Sequence, residues 1–560
     1  TYTIEAHHTT RNFGGQQSYE KNGTANGFGD GGRRYGTLNG PADPVSIYQE
    51  YVYTGYRYFD TFRGSSDDVL FPFGFGLSYS KFNFSDYDVK RNGELFVVSA
   101  TITNTSAVAG KAVLQVYASS PNDKELDQPY QRLMSFSKTK LLKAGESQRI
   151  SASFSAYDLS SYSESRAAYI LEEGLHLIRV GDSSRNTVVA GAINIKDGPI
   201  IVHQLSNRLT LDSMNPDGGN ENQAEFDRLR LNSQIECDMF GDREKDAREL
   251  AVGVIVDLYQ EDVVIQTYTD EEIKAKLTYT PGKAPLEYVS TLQSVASGEV
   301  SLSDYVAQMT TAELAYFLSG GAGVGNVYTC PDDPSVPLTV EKSKPSTPNA
   351  YMTGAGASRS NSRIGLPSLS YSDGSCGIPI NIGLAENLCT DPNPGYPRAP
   401  GIACIWDPEV FSLWGKTVAE ELVAANVDVW LAPSINLHRH PLNGRNAEYF
   451  SEDPVLSGVA AREVSKSVGE AGLTVCCKHF VCNDQEQFRR GRHTRRSEAE
   501  GNSLDAINSI TSERALREIS LKPFEMAIRT GKVHSVMSAF NKVNGWYCAS
   551  CPELLTDILR

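Results

Sequence analysis

Short buried strands that alternate with helices are the feature that most constrains the fold of this 560-residue chain. After residue 290, apolar runs rich in β-branched residues recur between helical segments. The strand candidates are residues 368–371, 427–432, 474–480 and 533–539. Because a helix between two strands returns the chain to the same end of a sheet, such strands pair in parallel. The pattern predicts parallel βα units in this part of the chain.

Two of the predicted helices have recognisable features. Residues 301–319 show an apolar face at helical spacing, and a second helix begins with Asp407 as its N-cap and Pro408 in its first turn. The apolar faces are predicted to consist of Leu302, Tyr305, Val306 and Met309 in the first helix and of Val410, Leu413, Trp414 and Val418 in the second.

Between about residues 70 and 200, apolar residues instead recur at every second position. The clearest case is the run 95–105, and Gly, Asn, Pro and Ser turns separate the strands. Such strands are typical of an antiparallel sandwich of immunoglobulin or fibronectin type. The alternating inward positions are Phe96, Val98, Ala100 and Ile102, then Ile150, Ala152 and Phe154, and less regularly His176, Ile178 and Val180. The glycine-rich residues 1–65 are interpreted as loops with short strands, and the charged residues 200–290 as a connector.

Charge and cysteine content exclude several classes of function. The net charge of −16 argues against nucleic acid as a partner. A basic run, residues 489–496, is interpreted as a solvated or ion-paired loop, with an anion site as the alternative. No apolar run of about 18 residues exists, so no membrane span is expected. The ten cysteines begin at Cys237 and are expected to be buried free thiols, which favours a cytoplasmic over a secreted location without deciding it.

Polar residues follow four of the predicted strands, at residues 372–377, 436–445, 478–479 and 537–541. Carboxyl ends of parallel strands meet at one edge, which is where α/β barrels hold their substrates. Asp373 can accept two vicinal hydroxyl groups, while Arg445 and Lys478 can donate to others. One acceptor among several donors suits a neutral polyol, and a sugar-processing enzyme is therefore the leading hypothesis.

Each of these residues also has a purely structural interpretation. Asp373 precedes a glycine and could be a turn residue, and Arg445 could form an ion pair with Glu448. Lys478 ends a buried strand, where a lysine needs a polar partner. The three histidines His438, His440 and His479 have no acidic ligand in register, so neither a metal nor a cofactor is expected. Met537 and Phe540 are candidate substrate contacts, with packing against the fold as the favoured alternative.

These motifs resemble family 3 of the glycoside hydrolases. The resemblance rests on Ser372-Asp373-Gly374, on Gly444-Arg445-Asn446-Ala447-Glu448-Tyr449-Phe450-Ser451-Glu452-Asp453-Pro454, on Lys478-His479-Phe480 and on residues 537–545. Two further runs, 53–60 and 70–79, resemble the start of the family's fibronectin-like domain. The fold implied is multidomain, with a fibronectin type III-like β-sandwich followed by an incomplete (β/α)8 TIM-type barrel.

This fibronectin-before-barrel order is found in family members with a reversed domain arrangement. It implies that residues 1–65 are the tail of an α/β sandwich with a leading loop and that 66–200 are the fibronectin-like domain. Residues 201–290 would connect it to the N-terminal portion of the barrel at 291–560. The strand count and the chain ends suggest a fragment of a longer protein.

The resemblance also implies site roles. Asp373, Arg445, Lys478 and His479 match the family's contacts to the non-reducing sugar, and Met537 and Phe540 are added as substrate-binding candidates. The reaction expected is that of an exo-acting retaining β-glucosidase on β-linked glucosides or oligosaccharides. The family's aspartate nucleophile and glutamate acid/base would lie beyond Arg560 and before Thr1, so no catalytic carboxylate is expected in the chain, and the isolated chain is expected to be inactive.

Several alternatives to the β-glucosidase stay open. They are a β-xylosidase, a broad β-glycosidase and a non-catalytic sugar-binding protein. Phe540 stands where many relatives carry tyrosine, which leaves aglycone preference undecided. Val481-Cys482-Asn483 replaces the histidine-containing loop of amino-sugar-cleaving relatives, which argues against that branch. The oligomeric state is left open.

Overall fold

The computed structural model describes most of residues 43–209, the segments 254–267 and 289–314, and residues 354–378 and 395–559, of which 492–505 are excepted. The pairs Tyr2–Thr3 and Arg34–Tyr35 and a few isolated positions are described as well. Most of the predicted α/β tail and connector, the residues 315–319 of one predicted helix and most of the basic run lie outside the described residues.

The N-terminal region contributes short elements that pair with distant parts of the chain. Its elements are β1 (Tyr2–Thr3), β2 (Arg34–Tyr35), β3 (Asp43–Ile47), α1 (Tyr56–Phe62) and β4 (Val69–Phe71). Every residue of α1 is buried. The first strand pairs antiparallel with β4. These contacts pack the described elements of the N-terminal region against the rest of the chain.

A β-sandwich follows in the chain. Its strands are β5 (Phe82–Asn92), β6 (Leu95–Asn104), β7 (Val113–Ser119), β8 (Arg132–Lys138), β9 (Ser147–Ser155), β10 (Ser161–Ser163), β11 (Ala168–Leu171), β12 (Gly174–Ser183), β13 (Asn186–Ile195) and β14 (Ile200–Gln204), with the short helix α2 (Ala156–Leu159) after β9. Beyond it come β15 (Ile255–Leu258), a 3-10 turn (Gln260–Asp262) and β16 (Gln266–Thr267). The sheet orders are β5-β6-β9, β15-β13-β12-β7-β8 and β10-β11-β14-β16. Two strands of the predicted connector thus extend sandwich sheets in parallel.

The period-two prediction is confirmed for β6 and β9. In β6 the even-numbered positions 96 to 104 are buried and their neighbours are partly exposed, and in β9 the predicted inward residues alternate with exposed ones. One face of each of these two strands enters a common apolar core, as expected for half-buried antiparallel strands. The predicted inward residues of β12 are also buried, but this strand has consecutive buried positions on both faces, which explains its less regular pattern.

The second half of the described chain contains the parallel strands. Its elements are α3 (Leu292–Ala296), α4 (Leu302–Ala307), β17 (Gly354–Ala357), a 3-10 turn (Ser362–Ile364), β18 (Ser370–Ser372), α5 (Ala399–Ala403), α6 (Pro408–Ala424), β19 (Val429–Trp430), a 3-10 turn (Asn446–Glu448), α7 (Pro454–Glu470), β20 (Thr474–Phe480), β21 (Asn508–Ile510), α8 (Glu513–Ala515), a π-helical turn (Leu516–Ser520), α9 (Lys522–Ile528), β22 (Val533–Ser538), β23 (Lys542–Val543), β24 (Trp546–Tyr547), a 3-10 turn (Cys548–Ser550) and a π-helical turn (Glu553–Ile558).

The prediction of parallel βα units is confirmed. Strands β18, β19, β20 and β22 are parallel neighbours in that order, and β17 joins β18 in the antiparallel sense. Helices α6 and α7 lie between β18 and β20 in the chain, as a βα repeat requires. The described strands form an open sheet, and the closed barrel stays a prediction.

Three residues of the predicted apolar faces are exposed. Leu302 and Val306 on α4 and Leu413 on α6 are 62%, 41% and 62% exposed, although Tyr305, Trp414 and Val418 on these helices are buried. Met309 is buried too, but it lies beyond α4, which ends at Ala307. A predicted apolar stripe covers a wider arc than a helix can bury against one neighbour, so its edge residues face solvent. The N-cap prediction is confirmed, because the Asp407 side chain accepts from the backbone N–H of Glu409.

The expectation of buried free thiols is confirmed for five cysteines. Cys476, Cys477, Cys482, Cys548 and Cys551 are buried and free. Burial raises the pKa of each of these thiols, to about 12 for Cys477 and Cys548 and well above the ordinary value for Cys482. They are therefore neutral packing groups at physiological pH. Cys376 is only half-buried and Cys404 is exposed.

Candidate functional site

The carboxyl ends of three of the parallel strands, β18, β19 and β20, bring three of the predicted site residues together. Asp373 follows β18, Arg445 stands in the long segment after β19, and Lys478 lies near the end of β20. All three line one cavity of about 560 Å³, together with Glu448 and Arg398. The parallel topology places these side chains at one edge of the sheet, as the sequence predicts.

Lys478 and Asp373 form the central ion pair of this cavity. The Lys478 side chain is 3% exposed, whereas that of Asp373 is 57% exposed. The ammonium donates directly to Asp373 Oδ1. Burial works to raise the pKa of Asp373, but the Lys478 charge and hydrogen bond, with smaller help from the Gly374 N–H and Arg445, outweigh it and lower that pKa. The carboxylate is therefore ionised at neutral pH and keeps open lone pairs toward the cavity.

Arg445, which lines the same cavity, is held by two carboxylates. Its Nε donates to Glu448, and Glu486 Oε1 lies 3.6 Å from the same nitrogen. Glu448 Oε2 accepts from Ser434 Oγ at 2.6 Å and from Ser375 Oγ at 3.1 Å. Glu448 thus ties the segments after β18 and β19 to the arginine, and its pKa is lowered because these partners outweigh the effect of burial.

His479 lies behind the cavity wall and does not line it. Its backbone is held by Asn436, whose side chain accepts from the His479 N–H at 2.8 Å and donates to its carbonyl oxygen at 2.9 Å. Burial, with the Arg445, Lys478 and Arg489 charges, lowers the pKa of His479 to about 2, so the ring is neutral. Its Nδ1 is buried without a hydrogen-bond partner among the described residues. A neutral imidazole of this kind can still exchange a hydrogen bond with a sugar hydroxyl.

Met537 and Phe540 also stand outside the cavity lining. Met537 pairs in register with Lys478 across β20 and β22. Phe540 is 48% exposed, and the guanidinium groups of Arg489 and Arg490 lie 5.4 and 4.8 Å from the centre of its ring. Of the basic run, the described arginines thus stack on an aromatic ring. Substrate contact by Met537, Phe540 and His479 stays a prediction.

Two residues of the cavity lining, Tyr396 and Arg398, were not predicted from the sequence. They stand in loops without a periodic signal, so nothing in the pattern singles them out. Ser375 and Cys376, which also line the cavity, lie in the predicted segment 372–377. Within the described ranges, no group of three or more His, Cys, Asp or Glu side chains is arranged to hold a metal. None of the described helices has the length and apolar character to cross a membrane.

Comparison with known proteins adds independent observations. Residues 358–560 match the glycosyl hydrolase family 3 N-terminal domain, and residues 112–184 match a fibronectin type III-like domain. Beta-glucosidase A of Butyrivibrio fibrisolvens is 30% identical over 546 residues, which are 92% of this chain and 58% of the relative. A beta-glucosidase of Ruminococcus albus is 31% identical over 523 residues, covering 92% of this chain and 47% of the relative.

A solved structure agrees with these relatives. The crystal structure of a beta-glucosidase from Paenibacillus barengoltzii superposes with a TM-score of 0.67 at 29% identity, over 92% of this chain and 50% of that one. The chain spans about half the length of the curated relatives it matches.

Proposed function

Because this chain belongs to glycosyl hydrolase family 3, we propose that its cavity holds the terminal glucosyl unit of a β-glucoside in an exo-acting, retaining β-glucosidase. The observation that carries the proposal is the buried Lys478 paired with the half-exposed Asp373, in one cavity with Arg445, after neighbouring parallel strands. An ionised acceptor between two fixed cationic donors fits a ring of vicinal hydroxyl groups. The beta-glucosidase names of the relatives support glucose as the sugar.

We assign binding, and not catalysis, to the carboxylates of this cavity. A retaining glycosidase needs two carboxyl groups about 5–5.5 Å apart, one as nucleophile and one as acid and then base. Asp373 is paired with Lys478, and Glu448 with Arg445, so each is occupied by a cation. The proposed TIM-type barrel and the two catalytic carboxylates would then be completed by residues other than these.

A non-catalytic sugar-binding protein is the second candidate, favoured by the same pairing of the cavity carboxylates. The two candidates share the binding step and differ in turnover. A β-xylosidase or a broad β-glycosidase differs only in which sugar fills the cavity.

Calorimetric titration of the 560-residue chain with glucose, xylose and galactose tests the proposal. We expect glucose to bind best, and Asp373→Ala to weaken it by about 10- to 100-fold, because hydrogen bonds to a charged group are lost. Preference for xylose would favour the xylosidase, and equal binding in the Asp373→Ala variant would remove the assigned site. We expect this chain not to hydrolyse 4-nitrophenyl β-D-glucoside, and measurable turnover would place both catalytic carboxylates inside it.

A further inference from the structure

A buried polar cluster joins the N-terminal region to the loops beneath the proposed sugar site. The Tyr48 cluster consists of Tyr48, Glu50, Arg439 and Asp484, and their exposures are 6%, 1%, 2% and 4%. Roughly 400 residues of chain separate the first two from the last two. Buried polar groups are costly unless they are satisfied, so the contacts of this cluster need an explanation.

The Tyr48 hydroxyl reaches the loop that follows β20. It donates to Asp484 Oδ2 at 2.9 Å and lies 3.3 Å from the carbonyl oxygen of Cys482. This loop begins directly after the strand that carries Lys478 and His479. One side chain of the N-terminal region therefore fixes the loop at two positions.

Asp484 also contacts the segment that follows β19. Its Oδ1 accepts from the backbone N–H of Leu437 at 3.2 Å. Leu437 follows Asn436, whose amide group holds both backbone groups of His479. The path from Tyr48 through Asp484 and Leu437 thus reaches Asn436, which holds the backbone of His479 beside Lys478.

The other two members of the cluster hold Tyr48 in place. Arg439 is paired with Glu50, with Nη2 to Oε2 at 3.0 Å, and its guanidinium stacks 3.8 Å from the centre of the Tyr48 ring. The Tyr48 N–H donates to the carbonyl oxygen of Ile510, which continues the parallel pairing of β3 with β21. Arg439 and Glu50 compensate each other's buried charge, and the stacked guanidinium supports the Tyr48 ring.

We propose that Tyr48 and Asp484 are positioning residues of the sugar site, which set the Lys478–His479 strand end against the loop of Asn436. The inference rests on the proposed function, since it assigns these residues to the site described there. Neither side chain lines the cavity. Their effect on a sugar is exerted through the backbone of the two loops.

A pH dependence follows from this arrangement. The groups that face Asp484 are the Tyr48 hydroxyl, the Arg439 guanidinium, the Glu50 carboxylate and the Cys482 thiol. Burial raises the pKa of Asp484 to about 6, against the lowering effects of Tyr48, Arg439 and the Leu437 N–H. Only the ionised carboxylate offers both oxygens as acceptors. Sugar binding should therefore weaken as the pH falls through about 6.

Tyr48→Phe tests the proposal, because it removes only the hydroxyl group. Glucose is titrated into the 560-residue chain by calorimetry between pH 5 and 8. We expect binding at pH 7.5 to weaken by about 2- to 30-fold, and the pH midpoint to move upward, because a hydrogen bond that lowers the pKa of Asp484 is lost. Asp484→Asn should weaken binding at pH 7.5 and abolish the dependence near pH 6.

Tyr162→Phe is the matched control. Tyr162 of β10 is fully buried where the sandwich meets the βα region. Its hydroxyl donates to Asn207 Oδ1 at 2.6 Å and lies 3.3 Å from Glu513 Oε1, and among the described residues it contacts neither the Tyr48 cluster nor the cavity lining. It should lower stability without moving the pH midpoint. An unchanged affinity and midpoint in Tyr48→Phe would overturn the inference and leave the proposed function standing.

If the wild-type chain binds no glucose, that result counts against the proposed function alone. Hydrogen exchange of the ligand-free chain then still tests the role of Tyr48. We expect the amides of Leu437 and His479 to exchange faster in Tyr48→Phe than in Tyr162→Phe. Equal protection of these amides in the two variants would overturn the inference.

Discussion

Lys478 is a buried cation whose partner faces the cavity of the proposed sugar site. Its side chain is only 3% exposed, and a buried charge is costly unless a partner accompanies it. The adjacent Asp373 compensates the charge while its own side chain stays 57% exposed. The buried lysine therefore holds an ionised carboxylate in a fixed position at the cavity, and a fixed acceptor of this kind is what the proposed sugar binding requires.

Lys478→Met should raise the pKa of Asp373 toward its ordinary value. The Lys478 charge and hydrogen bond are the leading causes that lower this pKa, and Met keeps most of the apolar stem. Because the folded-state pKa is lowered, the pair contributes stability above the unfolded-state pKa, and this contribution is lost as the pH falls through the folded-state value. Carbon-detected NMR titration of Asp373 measures the shift.

Arg462→Met is a suitable control for that titration, because Arg462 pairs with Glu463 on α7 and does not line the cavity. It should leave the Asp373 midpoint unchanged. An Asp373 midpoint that is equal in wild-type and Lys478→Met chains would show that the ion pair does not form in solution.

At the scale of elements, the packing of α6 against α7 depends on a glycine. A Cβ atom at Gly415 would stand 2.8 Å from the carbonyl oxygen of Val464 and 2.9 Å from the Cβ of Ser467. Both contacts are with α7, and the first is with backbone that cannot rotate away. The two helices therefore approach more closely here than any larger residue permits.

Gly415→Ala should destabilise the chain by about 1–3 kcal/mol, because the helices must separate and this cost exceeds the gain in helix propensity. Gly401→Ala in α5 is the control, since its Cβ would meet only Pro397 at an ordinary 3.5 Å. That substitution should be neutral or stabilise by up to about 1 kcal/mol. Urea denaturation of both variants measures the difference, and equal midpoints would contradict the close approach.

Elements with a strong period were predictable from the sequence, and those without one were not. Strand β20 is predicted at its observed bounds, Thr474–Phe480, and the inward positions of β6 are all buried. By contrast, β19 is only Val429–Trp430 against a predicted 427–432, because pairing with its neighbours and not local apolarity ends the strand. Propensity and periodicity report local preference, and tertiary pairing decides where a strand stops.

Some residues of the candidate site were likewise predictable from the sequence, and others were not. Asp373, Arg445 and Lys478 stand at strand ends, so topology alone brings them together. Tyr48 could not be predicted, because a contact with Asp484 across 436 residues leaves no pattern in the sequence. Long-range polar contacts of this kind are visible only once the fold is known.

At the scale of the whole molecule, the fibronectin-like sandwich and the βα region share a buried ionic interface. Glu518 is its centre: it accepts from Arg514 Nε at 2.9 Å and from the Tyr162 N–H at 2.7 Å. It also lies 3.7 Å from Arg132 of β8. Lys522 extends the interface to Asp158 at 3.2 Å. The two regions are therefore joined by buried charged groups that contact each other across the interface.

Glu518→Gln should cost about 3–5 kcal/mol, since it leaves Arg514 and Arg132 buried with no carboxylate between them. The side chains of these arginines are 1% and 7% exposed, so water cannot replace the lost charge. We expect one calorimetric unfolding transition for the wild-type chain, and in the variant a lower transition that divides into two. Glu463→Gln, which removes a partly exposed partner of Arg462, should cost at most about 1 kcal/mol. Separate melting of the sandwich in the wild-type chain, or an equal cost for the two substitutions, would show that this interface does not couple the two regions.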